Sequence, residues 1–545
     1  MTPGRCTRVE PSDDEIRAAL AARDVDTVVR LADKMWHALP TAYAAELLDM
    51  LSDLPDKLVC NRPRLLLAGL VAHHTRHSRT DGVLSRGVLP AVRAHGRRYA
   101  RSAARFTRRE DVLTAGVWAI VSARLSGAYA EADRVAERVE RVLDAHESPE
   151  PGPWSPDRAH SRPGLLPLHR GVTAALAGEL DVAVQHLTRA HEEAGPAPYQ
   201  HFAGVEAASV AALVTAAQGH HDLARTWLRR QEEHGAVPEP LRGVLTHGGA
   251  IARALLAIDA LDGAAAARRL DAAGDAADAG ELWPFLAAAR ADHDTLFDDP
   301  LKGLLRLEEA CFAHGTRVDR CSTAGHRITR ARADLLARAG EGTQVLQLAE
   351  AHPQVVTLAV PAATVHLAAD DHHRAVRVAA RAVRDPGVTP RDAASLWLVL
   401  AAAQLRLGRV DDALVAAQTA DDLGLVARFP RAVALLPEED REALTQAGAL
   451  RAADVLPALP APSRDVSLVR LTRREDVVLH ALAEGGTMPA VARRLGVSVH
   501  TVRSQASSLY AKLGATSRAE ALARAEHLGL VDRDRDQRSG SPGRA

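Results

Sequence analysis

Five short turns in this chain are each followed, five residues later, by an alanine. A turn residue lets the chain reverse, and a small residue one turn into the next helix lets two helices approach closely. The spacing therefore predicts stacked helix hairpins rather than a sheet. The turn and alanine pairs are Gly127 and Ala132, Gly178 and Ala183, Gly219 and Ala224, Asp370 and Ala375, and Gly408 and Ala413.

Composition supports the same fold class. Hydrophobic residues make up 47% of the 545 residues and aromatic residues only 3%, with alanine, leucine, valine and arginine dominant. Alanine, leucine and arginine lose little side-chain freedom in helices, so we expect an all-α protein. The chain has four lysines among its 68 basic residues, a bias that suits a GC-rich genome of the actinobacterial kind.

The segment 395–424 contains the clearest helix hairpin. It resembles a tetratricopeptide repeat, with Gly408 at the turn. The turns are spaced irregularly, about 30 to 50 residues apart, against 34 in a regular array. We therefore expect an α-solenoid of degenerate tetratricopeptide-like helix pairs, and the alternative is an irregular helical bundle. The packing residues that the repeat predicts are Trp397, Leu400, Ala401, Ala413, Ala417 and Ala420.

Stretches rich in proline and glycine divide the chain into segments, because a helix cannot persist across them. Ser12 and Glu15 form a capping box that opens the first helix. Three prolines between residues 456 and 463 predict a stiff linker. The resulting prediction is an N-terminal helical block (1–146), a Pro/Gly-rich loop or hinge (147–168), tetratricopeptide-like repeats (169–455), a linker (456–470), a C-terminal domain (471–531) and a disordered tail (532–545).

Capping residues predict four short helices within residues 471–531. Thr472 with Glu475 and Ser517 with Glu520 are capping boxes, while Thr487 and Ser498 can cap the second and third helices. Glycines end the helices at 485, 496, 514 and 529. The short turn at 496–498 sets the second and third helices at a steep angle. The predicted inward residues are Val478, Leu482, Val491, Leu495, Val502, Leu509, Leu513, Leu522 and Leu528.

This segment resembles the C-terminal DNA-binding domain of the LuxR family of transcription regulators. Ala490 departs from the family's usual Glu, and Gln505 from a frequent His. The matching positions are Leu471-Thr472, Arg474-Glu475, Ala483-Glu484-Gly485, Val491-Ala492, Leu495, Ser498, Thr501-Val502, Lys512-Leu513-Gly514, Ser517-Arg518, Glu520-Ala521 and Leu528-Gly529-Leu530.

The resemblance implies that residues 499–513 form a recognition helix for double-stranded DNA and that the fourth helix makes a homodimer on DNA. A guanidinium such as that of Arg503 can bind guanine bidentately in the major groove. The plain alternative is that these side chains are a solvated helix face. The base-contacting candidates are Arg503, Ser504 and Ser507, and the phosphate-contacting candidates are Thr501, Lys512, Ser517 and Arg518.

Charge agrees with a DNA-binding end. The chain has a net charge of −1, but residues 471–531 contain eight Arg and Lys against five Asp and Glu, a local charge of +3. That sign suits a small domain that faces phosphate.

We expect no catalytic residues, cofactor or metal, and so no enzyme. No lysine lies in a P-loop, no acidic cluster of a receiver domain is present, and His73, His74 and His77 lack the Glu of a zinc motif. Cys6, Cys60, Cys311 and Cys321 have no zinc spacing and suit reduced thiols. A charged N-terminus and the lack of a long apolar run predict a cytoplasmic protein without a membrane partner.

The sequence thus favours a DNA-binding transcriptional regulator. Its helical N-terminal region would sense a protein, peptide or small molecule, or control oligomerisation. The alternative is an interaction scaffold in which the helical repeats do the main work and the helix-turn-helix is secondary. An enzyme with an unrecognised helical active site is a third hypothesis.

Overall fold

A computed structural model gives the fold. It describes residues 11–35, 38–77, 96–99, 106, 108–145, 162–195, 201–234, 237–277, 279–315, 322–450, 466, 468–469 and 471–531. These residues form helices and turns and contain no β-strand, which confirms the predicted all-α class. No helix in these ranges is long and apolar enough to cross a membrane.

The helices are short and follow one another closely. Those before residue 314 are α1 Asp13–Ala21, α2 Val25–Lys34, α3 Ala38–Ala42, α4 Ala44–Ser52, α5 Asp56–Cys60, α6 Pro63–His77, α7 Arg109–Arg124, α8 Tyr129–Ala145, α9 Leu165–Ala177, α10 Leu180–Ala194, α11 Phe202–Gln218, α12 His221–Glu233, α13 Glu239–Leu245, α14 His247–Asp259, α15 Gly263–Ala273, α16 Trp283–Phe297 and α17 Pro300–Ala313.

The series continues to the C-terminal domain. The later helices are α18 Thr323–Arg338, α19 Gly342–Ala351, α20 Ala359–Ala368, α21 His372–Ala382, α22 Pro390–Arg406, α23 Val410–Asp422, α24 Leu425–Arg428, α25 Pro430–Ala434, α26 Glu438–Gln446, α27 Arg473–Ala483, α28 Met488–Leu495, α29 Val499–Leu513 and α30 Arg518–His527.

The chain divides into two compact units. One contains residues 1–293 and 305–328, and the other contains residues 294–304 and 329–545. Helices on both sides of the predicted 147–168 loop belong to the first unit, so the hinge expected there does not separate the units. The boundary at 168 is also late, because α9 already begins at Leu165. Pro167 fits in its first turn, where no backbone N–H is needed for an intrahelical hydrogen bond.

Within the first unit, neighbouring helices pack in sequence order. Helix α9 packs on α10, α10 on α11, and α11 on both α12 and α14. Further contacts join α7 to α9 and α9 to α11, so one hairpin stacks on the next. This stacking is the arrangement of an α-solenoid.

The second unit repeats that arrangement around α20 to α23. The best predicted hairpin is formed by α22 and α23, and its alanines are buried at the interface. Leu400 and Ala401 are also buried, and Trp397 packs against the cluster while partly exposed. The prediction for segment 395–424 is therefore confirmed.

The turn-to-alanine spacing is confirmed at all five positions. Each turn residue has a positive φ, from 56° at Asp370 to 117° at Gly178. Each alanine five residues later is at most 1% exposed. These alanines lie at helix crossings, where a larger side chain would separate the two helices.

The C-terminal part of the predicted 456–470 linker lies on α19. The Val469 backbone N–H donates a hydrogen bond of 2.8 Å to Thr343 Oγ1. A Cβ atom added to Gly342 would come within 2.8 Å of Val466 and 3.0 Å of Leu468. Val466, Leu468 and Val469 are therefore packed against a helix of the second unit rather than extended in solvent. The predicted tail 532–545 lies outside the described residues.

Candidate nucleic-acid interface

The C-terminal domain consists of α27, α28, α29 and α30, each begun by a polar residue. Thr472 and Glu475 form both hydrogen bonds of the predicted capping box at α27. Ser498 accepts from the backbone N–H of Thr501 at α29, as expected. The boundaries predicted from glycines are confirmed at 496 and 514, where both residues have positive φ.

One predicted cap does not form, and one predicted capping box is incomplete. The Thr487 side chain forms no cap hydrogen bond at α28. Pro489 occupies the second helical position and has no N–H to donate to it. Ser517 caps α30, but the Glu520 carboxylate does not return to Ser517. It accepts instead from the backbone N–H and hydroxyl of Thr516, at 2.7 and 2.8 Å.

The core of the domain is small and apolar. Leu495 and Leu522 are partly exposed at its edge, and the other predicted inward residues are buried. Ala506 and Ala525, which the sequence analysis did not single out, are also fully enclosed. The buried members are Val478, Leu479, Ala481, Leu482, Val491, Ala492, Val502, Ala506, Leu509, Leu513, Ala521, Ala525, Leu528 and Val531.

A buried carboxylate joins the first and third helices. Glu475 is 3% exposed, and it accepts hydrogen bonds of 2.6 Å from both Ser508 and Lys512. Burial alone would raise the pKa of Glu475, but the hydrogen bonds from Lys512, Ser508 and Thr472 outweigh it and lower the pKa to about 2. The carboxylate is therefore ionised at neutral pH and holds α29 against α27.

Helix α29 presents all three predicted base-contacting residues to solvent. Arg503, Ser504 and Ser507 are all exposed, whereas Val502 and Ala506 on the opposite face are buried. Arg503 forms no ion pair or hydrogen bond with any residue that the structure describes. Its five N–H donors are thus available for a ligand outside the domain.

The four predicted phosphate-contacting residues all have partners inside the domain. Thr501 lies 2.8 Å from the hydroxyl of Ser498, and Ser517 caps α30. Lys512 pairs with Glu475. Arg518 donates to two carbonyl groups near the end of α27, those of Leu482 and Gly486. These contacts position the side chains, and a role on phosphate stays a prediction.

Sequence reasoning missed the part played by Arg494. Its guanidinium donates to the carbonyl of Ala481 and pairs with Glu484 at 2.6 Å, joining α28 to the end of α27. The partners are 13 and 10 residues away, too far apart for a helical periodicity to reveal them. Helices α28 and α29 are joined by the three-residue turn 496–498 and share one small core with α27 and α30, which is the arrangement of a helix-turn-helix domain.

Comparison with known proteins names the type. Residues 469–525 match the family model described as "Bacterial regulatory proteins, luxR family". The C-terminal domain is therefore a LuxR-type helix-turn-helix, as the resemblance of residues 471–531 predicts.

A curated relative matches a short part of the chain. The "Transcriptional regulatory protein YdfI" of Bacillus subtilis (strain 168) is 46% identical over 65 residues. The match covers 12% of this chain and 30% of the relative, so the chain spans less than a third of the length of that protein.

One solved structure matches much of the chain, but only weakly. It is a signal transduction ATPase with numerous domains and a tetratricopeptide repeat sensor from Pyrococcus horikoshii. The match has a TM-score of 0.24 at 12% identity and covers 78% of this chain and 64% of that chain. A likeness of this size supports no conclusion about fold or function.

Proposed function

We propose that this protein is a transcriptional regulator that reads double-stranded DNA with α29. The observation that carries the proposal is the exposed Arg503, which has no partner among the described residues and lies on the helix that follows the turn. An arginine at such a position can form two hydrogen bonds to the edge of guanine in the major groove.

The neighbouring residues suit the same surface. Ser504 and Ser507 share the exposed face of α29 with Arg503 and would contact base edges. Thr501, Lys512, Ser517 and Arg518 would contact phosphate and so fix the register of the helix without selecting a sequence. The Lys512 side chain remains 36% exposed, and an ammonium has three N–H donors, so pairing with Glu475 leaves donors for phosphate.

The helical N-terminal region would act as a sensor, a partner-binding module or an oligomerisation module. Stacked helix hairpins present extended surfaces that suit such roles. We propose that the protein binds DNA as a homodimer through α30. Two half-sites about one helical turn apart would then form an inverted repeat.

The deciding experiment compares specific and non-specific binding. A binding site is first selected with the full-length protein from a pool of random duplexes. Arg503→Ala should weaken binding to that site by roughly 1–3 kcal/mol, about 5- to 150-fold, and binding to random DNA far less. Arg377→Ala is the charge-matched control, because Arg377 is an exposed residue of α21 without a partner among the described residues.

Two outcomes would contradict this proposal. Equal losses on both kinds of DNA would show that Arg503 contributes charge without reading bases. If genome-wide binding is unchanged by deletion of residues 471–531, the helical repeats act without this domain, as the interaction-scaffold alternative requires.

A further inference from the structure

The first unit contains a partly open cavity of about 240 Å³. Side chains from α2, α6, α7, α9, α11 and α13 line it, and all of them belong to residues 1–293. Apolar walls come from residues such as Leu70, Val71, Val117, Val121, Leu165 and Leu245. Its volume equals that of about eight water molecules. Small-molecule sites usually measure about 300 to 1,000 Å³, so this cavity suits a compact organic molecule.

Three arginines line the cavity, and their charges are already compensated. Arg64 is paired with Asp33 and with Asp111, the latter at 2.7 Å. Arg162 pairs with Asp33 at 3.2 Å. Burying a charge is costly unless it is paired, and these pairs meet that condition.

The third arginine has its own carboxylate. Arg124 pairs with Glu281 at 2.6 Å and donates a hydrogen bond of 2.8 Å to the carbonyl of His169. Three guanidinium groups are thus balanced by Asp33, Asp111 and Glu281. These three arginines therefore require no further negative charge from a ligand.

Glu206 is a further carboxyl at the cavity, near Arg124 and Glu281. It lies on α11 and lines the cavity, and it has no hydrogen bond or ion pair with any residue that the structure describes. Its neighbours Val205, Ala207 and Ala208 are at most 4% exposed, whereas Glu206 keeps some accessible surface. Because the rest of that helix is enclosed, the accessible surface of Glu206 opens onto the cavity.

The environment of Glu206 lacks a cation of its own. Burial, and after it repulsion from the nearby Glu281, raise the pKa of Glu206 to about 7, and the opposing effect of Arg124 is smaller. A positively charged ligand beside Glu206 would reverse this situation, because it would favour the ionised carboxylate.

A neutral histidine supplies a hydrogen-bond donor to the same cavity. Arg124 lies 3.1 Å from Nδ1 of His169, and since a guanidinium can only donate, that nitrogen accepts and the ring proton lies on Nε2. Burial, with the charge of Arg124, holds the pKa of His169 well below its usual value. His169 therefore adds no positive charge that would repel a cation.

We propose that this cavity is an effector site for a small hydrophobic amine, with the ammonium group paired to Glu206 and the apolar part held between α6, α7 and α13. The inference rests on the sensor role proposed above for the helical region. An apolar ligand with a carboxylate would instead place a second uncompensated negative charge beside Glu206 and Glu281, and binding would be weak.

The test uses three probes with one framework, which are 2-phenylethylamine, 2-phenylethanol and phenylacetate. Calorimetric titration of the full-length protein at pH 8 should show the amine binding at least tenfold more tightly than the alcohol, with phenylacetate weakest. Glu206→Gln keeps the shape of the side chain and removes its charge, so amine affinity should fall at least tenfold. Affinity for the alcohol should change less than threefold.

Two further variants keep the result interpretable. Glu192→Gln, at an exposed position of α10, should leave all three affinities unchanged. Val121→Phe fills the cavity and should weaken the amine and the alcohol together, with unchanged helical circular dichroism as the check on folding. If 2-phenylethylamine does not bind the wild type, or binds Glu206→Gln equally well, or binds no better than phenylacetate, the proposal is overturned.

The same titrations separate this inference from the proposed function. The titrations are made without DNA. If the amine binds but the protein has no affinity for any duplex, the proposed amine site is supported and the proposed DNA-binding function is contradicted. Sequence-specific DNA binding with no amine affinity does the opposite. A change in DNA affinity on addition of 2-phenylethylamine would connect the two.

Discussion

Replacing Glu475 with glutamine tests how the DNA-reading helix is held in place. A carboxyl whose pKa falls from 4.5 to about 2 stabilises the folded domain by about 3 kcal/mol at neutral pH. Lys512 is 36% exposed, so solvent screens part of its attraction. We therefore expect Glu475→Gln to cost about 2 kcal/mol, since glutamine can still accept from Thr472 and Ser508.

The assay is hydrogen–deuterium exchange of the full-length protein, followed by mass spectrometry of peptides from residues 471–531. A loss of about 2 kcal/mol raises the exchange rate of protected amides in α27 and α29 about 30-fold. Glu484→Gln is the matched control, because it removes an ion pair of the same domain whose partners are 40% and 49% exposed. Such a pair contributes about 1 kcal/mol or less.

The pH dependence gives a second readout. Because the folded pKa of Glu475 is depressed, its contribution is present above about pH 4.5 and is lost as pH falls toward 2. Exchange corrected for its intrinsic rate should accelerate over that interval in the wild type and much less in Glu475→Gln. Identical exchange in Glu475→Gln and Glu484→Gln at pH 7 would refute the reasoning.

Three more variants test other parts of the fold. Ala224→Leu overfills a helix crossing where the alanine is 0% exposed, and calorimetry should show a loss of about 1–3 kcal/mol, whereas a neutral result would mean that the hairpins separate easily. Asp370→Gly relieves a positive φ of 56° at an exposed turn, and the free energy of unfolding should rise by about 0.5–1 kcal/mol, because the solvent-exposed contact of Asp370 with His372 at 3.8 Å contributes little; an unchanged or lower value would contradict this. Glu206→Gln should stabilise the protein by up to about 3 kcal/mol at pH 8, because the carboxyl's raised pKa of about 7 means that stability is lost as pH rises from about 4.5 through 7. A pH-independent difference between the two proteins would argue against that cause.

The sequence predicted those features whose residues are close together in the chain. A turn residue and the alanine five positions later report one local geometry, and all five such pairs are confirmed. The same geometry occurs at Arg23 and Leu261, which have positive φ without being glycine. Val28 and Ala266 follow five residues later and are fully buried. These turns were missed because ordinary side chains give no turn signal.

Contacts between distant residues could not be predicted in the same way. The resemblance to the DNA-binding family predicts a phosphate contact for Lys512, and its ion pair with Glu475, 37 residues earlier, depends on how α27 crosses α29. The cavity beside Glu206 also combines residues from six helices, so no local pattern announces it. The exposure of Arg503 was predictable because helical periodicity and the short turn place it on the outer face.

The packing of Val466, Leu468 and Val469 on α19 affects how two copies would bind one duplex. A DNA-binding domain on a flexible linker can bind half-sites at several separations, as a bivalent ligand does with a flexible spacer. Here the hydrogen bond to Thr343 and the close packing at Gly342 hold the chain on α19 up to Val469, two residues before the C-terminal domain begins. The separation of the two DNA-binding domains then follows from how the subunits associate. Inserting half a helical turn of DNA between half-sites should abolish binding by the pair.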